Sequence, residues 1–237
     1  MKINKNITTV NFKKINNRKI NYVVVHYTAG KKDYQGAAYD NTRYFKDTYR
    51  GASAHYFVDC SDTVWQCVED NCVAWHAGDK TAYSHNAPFN GICTNSNSIG
   101  VEMVSYYENE KYSISDKTFE NACELCAYLL KKYSLGTDRL ICHFDVTHKL
   151  CPMPFITNNK KNQLWDKFVK TVEAKMEENR EEVFNDIKNH WAKKYIEKLY
   201  DYGIVTGDGS GNFRPDDNVT RAEAAKMVSD ALLILGK

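Results

Sequence analysis

The sequence predicts an α/β domain with a mixed central β-sheet flanked by helices, followed by a small all-α C-terminal module. Three observations predict it. Residues 21–26, Asn-Tyr-Val-Val-Val-His, form a β-branched run that suits a buried strand. Strand patterns then alternate with helical ones to about residue 170. Beyond that the composition shifts, and residues 183–235 read as helix, Gly-rich loop, helix.

Residues 1–20 are polar with scattered Ile and Val, a weak strand or arm. The Val-rich strand ends in His26-Tyr-Thr-Ala-Gly30, which puts His26 where strand gives way to loop. Residues 35–49 suit a helix, with Ala37, Ala38, Tyr44 and Phe45 on one face. Gly51 to Asp59 turns into a second strand, and residues 63–69 alternate as a third, paired with it as a hairpin. Residues 75–97 are loop-rich, and a long loop inside a domain is often a binding loop. Ser98 to Val104 is a fourth strand. Residues 116–133 form an amphipathic helix capped by Ser115 or Asp116, with Gly136 closing the segment. Leu140–His143 is the last strand. Residues 160–182 form a helix, apolar early and highly charged late, so its charged half reads as a solvated linker. The chain thus divides into a 1–160 domain, a 161–182 helical linker and a 183–237 module.

Composition excludes several classes. At 237 residues, with 43% hydrophobic and 26% charged content, the chain can bury a real core. A net charge of +2 is too small to argue for a nucleic-acid partner. No run reaches the ~18 apolar residues of a membrane span. The N-terminus shows no long apolar region and no small-residue cleavage site, so no secretory signal is read. An extracellular target would then be reached after cell lysis or through a holin. Cys123 and Cys126 fall inside the helical pattern of Phe119, Ala122, Leu125 and Leu129, which favours small core residues over a metal pair.

The chemistry concentrates in residues 140–152, Leu-Ile-Cys-His-Phe-Asp-Val-Thr-His-Lys-Leu-Cys-Pro. His143 and Cys151 lie eight residues apart, which fits no finger spacing and asks for a further ligand. His26, at its own strand end, supplies it. Two imidazoles and a thiolate suit Zn2+, and three protein ligands leave a fourth position for water, as in catalytic zinc sites. Zinc lowers the pKa of that water toward ~7 and polarises a bound carbonyl. Such chemistry needs a base and an oxyanion donor. Glu102 sits on an apolar strand where a carboxylate needs a reason to be, and is the candidate base; the alternative is an edge or solvent-facing residue. Lys149 offers a positive charge to an oxyanion, or is an ordinary loop lysine. His55, His76 and Trp75 are candidate substrate contacts, His55 alternatively a supporting group. Asp145 is a candidate partner for a ligand imidazole. His85, His148 and His190 are read as packing or surface residues.

Five motifs in order resemble the type 2 zinc-dependent N-acetylmuramoyl-L-alanine amidases, which share a fold with peptidoglycan recognition proteins and include phage endolysins. They are Val-Val-Val-His26-Tyr-Thr, Ser-Ala-His55-Tyr-Phe-Val-Asp59, Trp75-His76-Ala-Gly, Ser-Ile-Gly-Val-Glu102-Met and His143-Phe-Asp-Val-Thr-His-Lys149-Leu-Cys151-Pro. The resemblance implies zinc on His26, His143 and Cys151, Glu102 as catalytic acid and base, and Lys149 at the transition state. It implies peptidoglycan as substrate, cut between N-acetylmuramic acid and L-alanine, and hence wall lysis. Some relatives place a catalytic Tyr where this chain has Ala54, which shifts weight to Glu102. The alternative is a peptidoglycan-binding protein without catalysis; such proteins typically lack the cysteine that stands here as Cys151.

The tail resembles one S-layer homology repeat, on Phe184-Asn-Asp186-Ile, His190-Trp191-Ala, Gly203-Ile-Val-Thr-Gly207, Gly211-Asn-Phe213-Arg-Pro215 and Val219-Thr-Arg221-Ala-Glu223. Such modules bind secondary cell-wall polymers of Gram-positive bacteria, usually as three repeats. A single repeat leaves two options, a weak lone anchor or a homo-oligomer, a trimer made by three chains. Asp208-Gly-Ser-Gly-Asn212 lacks the Glu that a calcium loop needs at its twelfth position.

Overall fold

The structure is a computed structural model and describes residues 1–78, 84–178, 182–234 and 236. The chain separates into two compact units, Met1–Asn179 and Arg180–Lys237. Part of the expected binding loop, residues 79–83, lies outside the described residues. Among the described residues no helix is long and apolar enough to cross a membrane.

The first unit is built on six strands: β1 (Lys2–Lys5), β2 (Tyr22–Tyr27), β3 (Tyr56–Val58), β4 (Thr63–Gln66), β5 (Ser98–Met103) and β6 (Leu140–Cys142). Their order in the sheet is β1-β4-β3-β5-β2-β6. β3 and β4 pair antiparallel, as the expected hairpin, and all other neighbours are parallel. The sheet is therefore mixed. The weak N-terminal strand finds its partner across the hairpin, with Ile3 opposite Val64.

Period-two alternation sorts the strands onto two faces. Val23, Val25, Ile99, Val101, Met103, Leu140 and Cys142 enter the main core. They pack under helix α2 (Asp116–Lys132), whose Phe119, Ala122, Cys123, Leu125, Cys126 and Leu129 are all buried. Ser115 caps α2, its Oγ accepting the Thr118 N–H at 3.3 Å. Cys123 and Cys126 are core residues, and all eight cysteines are free. The opposite face holds Tyr22, Val24 and Ile141 against Ala77, Cys93 and Val146. Beside them Phe57 packs on Ala37 and Ala38 of helix α1 (Ala37–Lys46), which precedes β3.

Two elements differ from expectation. The last strand stops at Cys142, and His143 opens a short helix α3 (His143–Thr147). The carboxylate of Asp145 folds back to accept the Cys142 N–H at 2.9 Å, which turns the chain into the helix. The segment expected as a linker forms helix α4 (Gln163–Glu178), which lies wholly within the first unit. Trp165, Phe168 and Val172 recur at helical spacing and are buried in the main core. That stripe outweighs the charge of the later turns.

The second unit contains α5 (Lys193–Asp201) and α6 (Arg221–Ile234), with no strand among its described residues. Phe184, Ile187 and Ile196 form its small core, with Phe213 packed against them. Thr220 and Glu223 cap α6 reciprocally: the Thr220 N–H reaches Glu223 Oε2 at 2.8 Å, and the Glu223 N–H reaches Thr220 Oγ1 at 3.2 Å. In the Gly-rich loop, Asp208 accepts the N–H groups of Ser210 and Asn212, so its carboxylate serves the turn.

Candidate metal centre and active site

Parallel strands β2, β5 and β6 carry the site at their carboxyl ends, where open α/β sheets place ligands. His26 is the penultimate residue of β2, Glu102 that of β5, and the two are Cα partners in register. His143 follows β6 directly. Cys151 returns to it by a local turn. His148 adopts a left-handed conformation at φ 58° and ends α3, and the Cys151 C=O then accepts the Phe144 N–H at 2.9 Å. The eight-residue spacing is thus one helical turn plus a reversal. The peptide bond between Cys151 and Pro152 is cis.

The three ligand candidates converge. The donor atoms of His26, His143 and Cys151 lie within 4.8 Å of one another, and all three residues are buried. Cys151 Sγ stands 3.6 Å from His26 Nδ1, and the rings of His26 and His143 are 4.7 Å apart by centroid. Burial first, then the neighbouring His143 and His76, hold His26 well below the usual imidazole range, so it is neutral. Two imidazoles and a thiol facing one point are a fitting donor set for a metal ion with nitrogen and sulfur preference.

Glu102 Oε2 is enclosed without a hydrogen-bond partner among the described residues. Burial pushes the carboxyl up to about 8, against the opposing pull of Lys149. Lys149 is exposed, and its charge bears on both Glu102 and His26. Half-buried Tyr27 also flanks the group, pushed up to about 12 chiefly by burial and next by Cys151.

The three expected substrate contacts separate. Trp75 is partly exposed, with Tyr49 edge-on at 5.8 Å, and its backbone is pinned to Ser53 in both directions at 3.0 Å. His55 is wholly buried, with Nδ1 accepting the Gly100 N–H at 3.0 Å and Nε2 donating to the Cys72 carbonyl at 3.1 Å. Burial, helped by Arg18, lowers it to about 3. With both ring nitrogens facing backbone partners, and Nε2 also 3.1 Å from Arg18, His55 is held inside the sheet. His76 is also buried: it stands behind His26, its Nδ1 3.0 Å from His26 Nε2. Its ring lies on Gly100, where a Cβ would come within 2.7 Å of it. Asp145 accepts the Cys142 N–H and pairs with Lys161 at 3.0 Å, so it fixes the start of α3 beside His143.

Other supporting residues carry no sequence signal of their own. Arg18 donates to the carbonyls of Asp70, Asn95, Ser96 and Ser98, and burial lowers it to about 10. Asn95 Oδ1 in turn accepts the N–H groups of His76 and Ala77 at 2.9 and 2.6 Å. Asp59, wholly buried, accepts the Gly36 and Ala38 N–H groups and caps α1 from a distance. The one available signal for His76 was Gly100, since a glycine inside a strand marks a close approach.

A mixed sheet with two imidazoles, a thiol and an enclosed carboxyl at its strand ends defines an α/β domain with a candidate metal centre. The sequence profile of the N-acetylmuramoyl-L-alanine amidase family matches residues 16–154, more than half the chain, and the chain belongs to that family. An S-layer homology domain follows at residues 183–225. The chain is 37% identical over 145 residues to N-acetylmuramoyl-L-alanine amidase CwlL of Bacillus licheniformis, covering 59% of this chain and 38% of that protein. It is 36% identical over 162 residues to N-acetylmuramoyl-L-alanine amidase BlyA of Bacillus subtilis (strain 168), covering 65% and 41%. The chain therefore spans about two fifths of the length of these curated relatives. Its fold is that of the PlyG catalytic domain, with a TM-score of 0.57 at 22% identity over 74% of this chain and 96% of that one.

Proposed function

We propose that this chain is a zinc-dependent hydrolase of peptidoglycan, cutting the amide between N-acetylmuramic acid and L-alanine and so lysing the wall. The observation that carries the reading is the convergence of His26, His143 and Cys151, with Glu102 in register beside His26. Zinc held by those three residues would supply a water of lowered pKa and Lewis-acid polarisation of the substrate carbonyl. Glu102 takes the proton of the attacking water on its carboxylate and returns it to the leaving amine. Burial places its ionisation near neutrality, where one group can serve as both base and acid. Lys149 sets a positive charge against the oxyanion. Trp75 and Tyr49 offer an exposed aromatic surface to the substrate.

The test is release of new L-alanine amino termini from purified Gram-positive walls. Chelator-treated protein should release few, Zn2+ should restore release, and Glu102→Ala should stay low. Full release after chelation would overturn the reading. The alternative, a peptidoglycan-binding protein without catalysis, would bind the walls and release nothing.

Residues 183–237 are assigned to a secondary cell-wall polymer, on the strength of the S-layer homology match. Full-length protein should co-sediment with intact walls and lose that retention on walls stripped of the polymer. A homo-oligomer through the same unit is favoured by α6, where Val228, Leu232 and Leu233 are exposed. Light scattering of the full chain would show a mass above one chain.

A further inference from the structure

His26 can be a metal ligand only in one tautomer, and the hydrogen bonds behind it decide which. The chain of contacts is best read from its far end. The Thr94 carbonyl can only accept, and Ser98 Oγ lies 2.6 Å from it, so the Ser98 hydroxyl spends its single hydrogen there. Toward His76 Nε2, at 3.3 Å, Ser98 Oγ is then left as an acceptor. His76 therefore carries its hydrogen on Nε2, and its Nδ1 is a bare lone pair. That lone pair faces His26 Nε2 at 3.0 Å, so His26 must be the donor. A neutral His26 with its hydrogen on Nε2 has its own lone pair on Nδ1, the nitrogen that faces Cys151 Sγ. Four groups in series thus fix one proton position at the metal centre.

We propose that His76 is a positioning residue for His26: through the series Thr94, Ser98, His76, His26 it locks the Nε2–H tautomer and aims Nδ1 at the metal position. The inference rests on the proposed role of His26 as a metal ligand. Ligating imidazoles commonly donate their second N–H to an oxygen acceptor. Here the acceptor is a second imidazole, itself oriented from behind. The sheet is shaped for it. Gly100 leaves the space that the His76 ring fills, and Asn95 Oδ1 holds the His76 backbone N–H. The His76 ring meets the ligand candidates through its 3.0 Å hydrogen bond to His26, so its action runs through His26.

The decisive variants exploit the geometry of substitution. Asn places its Oδ1 where His76 has Nδ1, and so keeps an acceptor for His26. Gln places its acceptor farther out, at the Nε2 position, and Leu has none. Zn2+ affinity of the full chain is measured by competition with a chromophoric chelator. His76→Leu and His76→Gln should weaken zinc binding by about 10- to 100-fold. His76→Asn should stay near the wild type. A long-range 1H–15N spectrum of the zinc-loaded wild type, which involves no substitution, should show His26 and His76 both protonated on Nε2. Equal affinities for the Asn, Gln and Leu variants, or a His26 ring protonated on Nδ1, would overturn the inference while leaving the metal site standing. A wild type that binds no zinc would overturn the metal site itself and the inference with it.

Discussion

Glu102→Gln should stabilise the metal-free protein in mild alkali and leave it unchanged in acid. Burial raises the Glu102 carboxyl from 4.5 to about 8. Between those values the folded protein keeps a proton that the unfolded chain has already lost. Stability therefore falls as pH rises through that window. The displacement, 8 − 4.5 = 3.5 pH units, corresponds to about 5 kcal/mol at ~1.4 kcal/mol per unit. Glu102 is partly open to solvent, so screening reduces the effect, and about 2 kcal/mol is expected near pH 8. Gln carries no charge and escapes the penalty. The assay is urea unfolding of chelator-treated wild type and variant, from about pH 5 to about pH 8. His26, His55 and His76 have lowered values and act with the opposite sign, but they are common to both proteins and cancel in the difference. A stability difference that does not change with pH would refute the reasoning.

Other substitutions probe the scaffold. Phe168→Ala empties a fully buried site between α2 and α4 and should cost about 3–5 kcal/mol in denaturant unfolding. Ser115→Ala removes the cap of α2 and should cost about 1 kcal/mol by the same assay. His55→Leu leaves the Gly100 N–H and the Cys72 carbonyl unpaired in the interior, a loss of about 2 kcal/mol in thermal or chemical unfolding. Gly100→Ala drives a Cβ to 2.7 Å from the His76 ring; about 1–3 kcal/mol of stability should be lost, with weaker zinc retention against a chelator.

The strands, and the convergence of His26, His143 and Cys151, were legible because their signals are local. The Val-rich run of β2 and the helical stripe of α2 each announce themselves within one window, and the structure forms both. His26, near the end of β2, and His143, directly after β6, are gathered by the adjacency of those strands, and the turn after α3 brings Cys151 to them. Direction was harder. His76 sits in a loop with no periodicity, and nothing in its neighbours says whether it faces substrate or the sheet. His55 looks equally available until Gly100 and Cys72 are seen to use both its nitrogens. Arg18 belongs to a segment read as a polar arm, and its role depends on carbonyls more than fifty residues away. The apolar early turns of α4 were legible, but the charge of its later turns drew the whole segment into a linker, whereas Trp165, Phe168 and Val172 bury it in the first unit.

The placement of β6 has a consequence for the integrity of the sheet. Among the described residues it is the outermost strand on its side and pairs with β2 alone. An edge strand is open to fraying and to pairing with foreign chains. His143 is joined directly to that edge, and His26 belongs to the strand within. Any ion gripped by both is a rivet through the sheet margin. Removing such an ion would free the margin, so amide exchange in Leu140–Cys142 should quicken on chelation while that of the inner strand β5 stays slow.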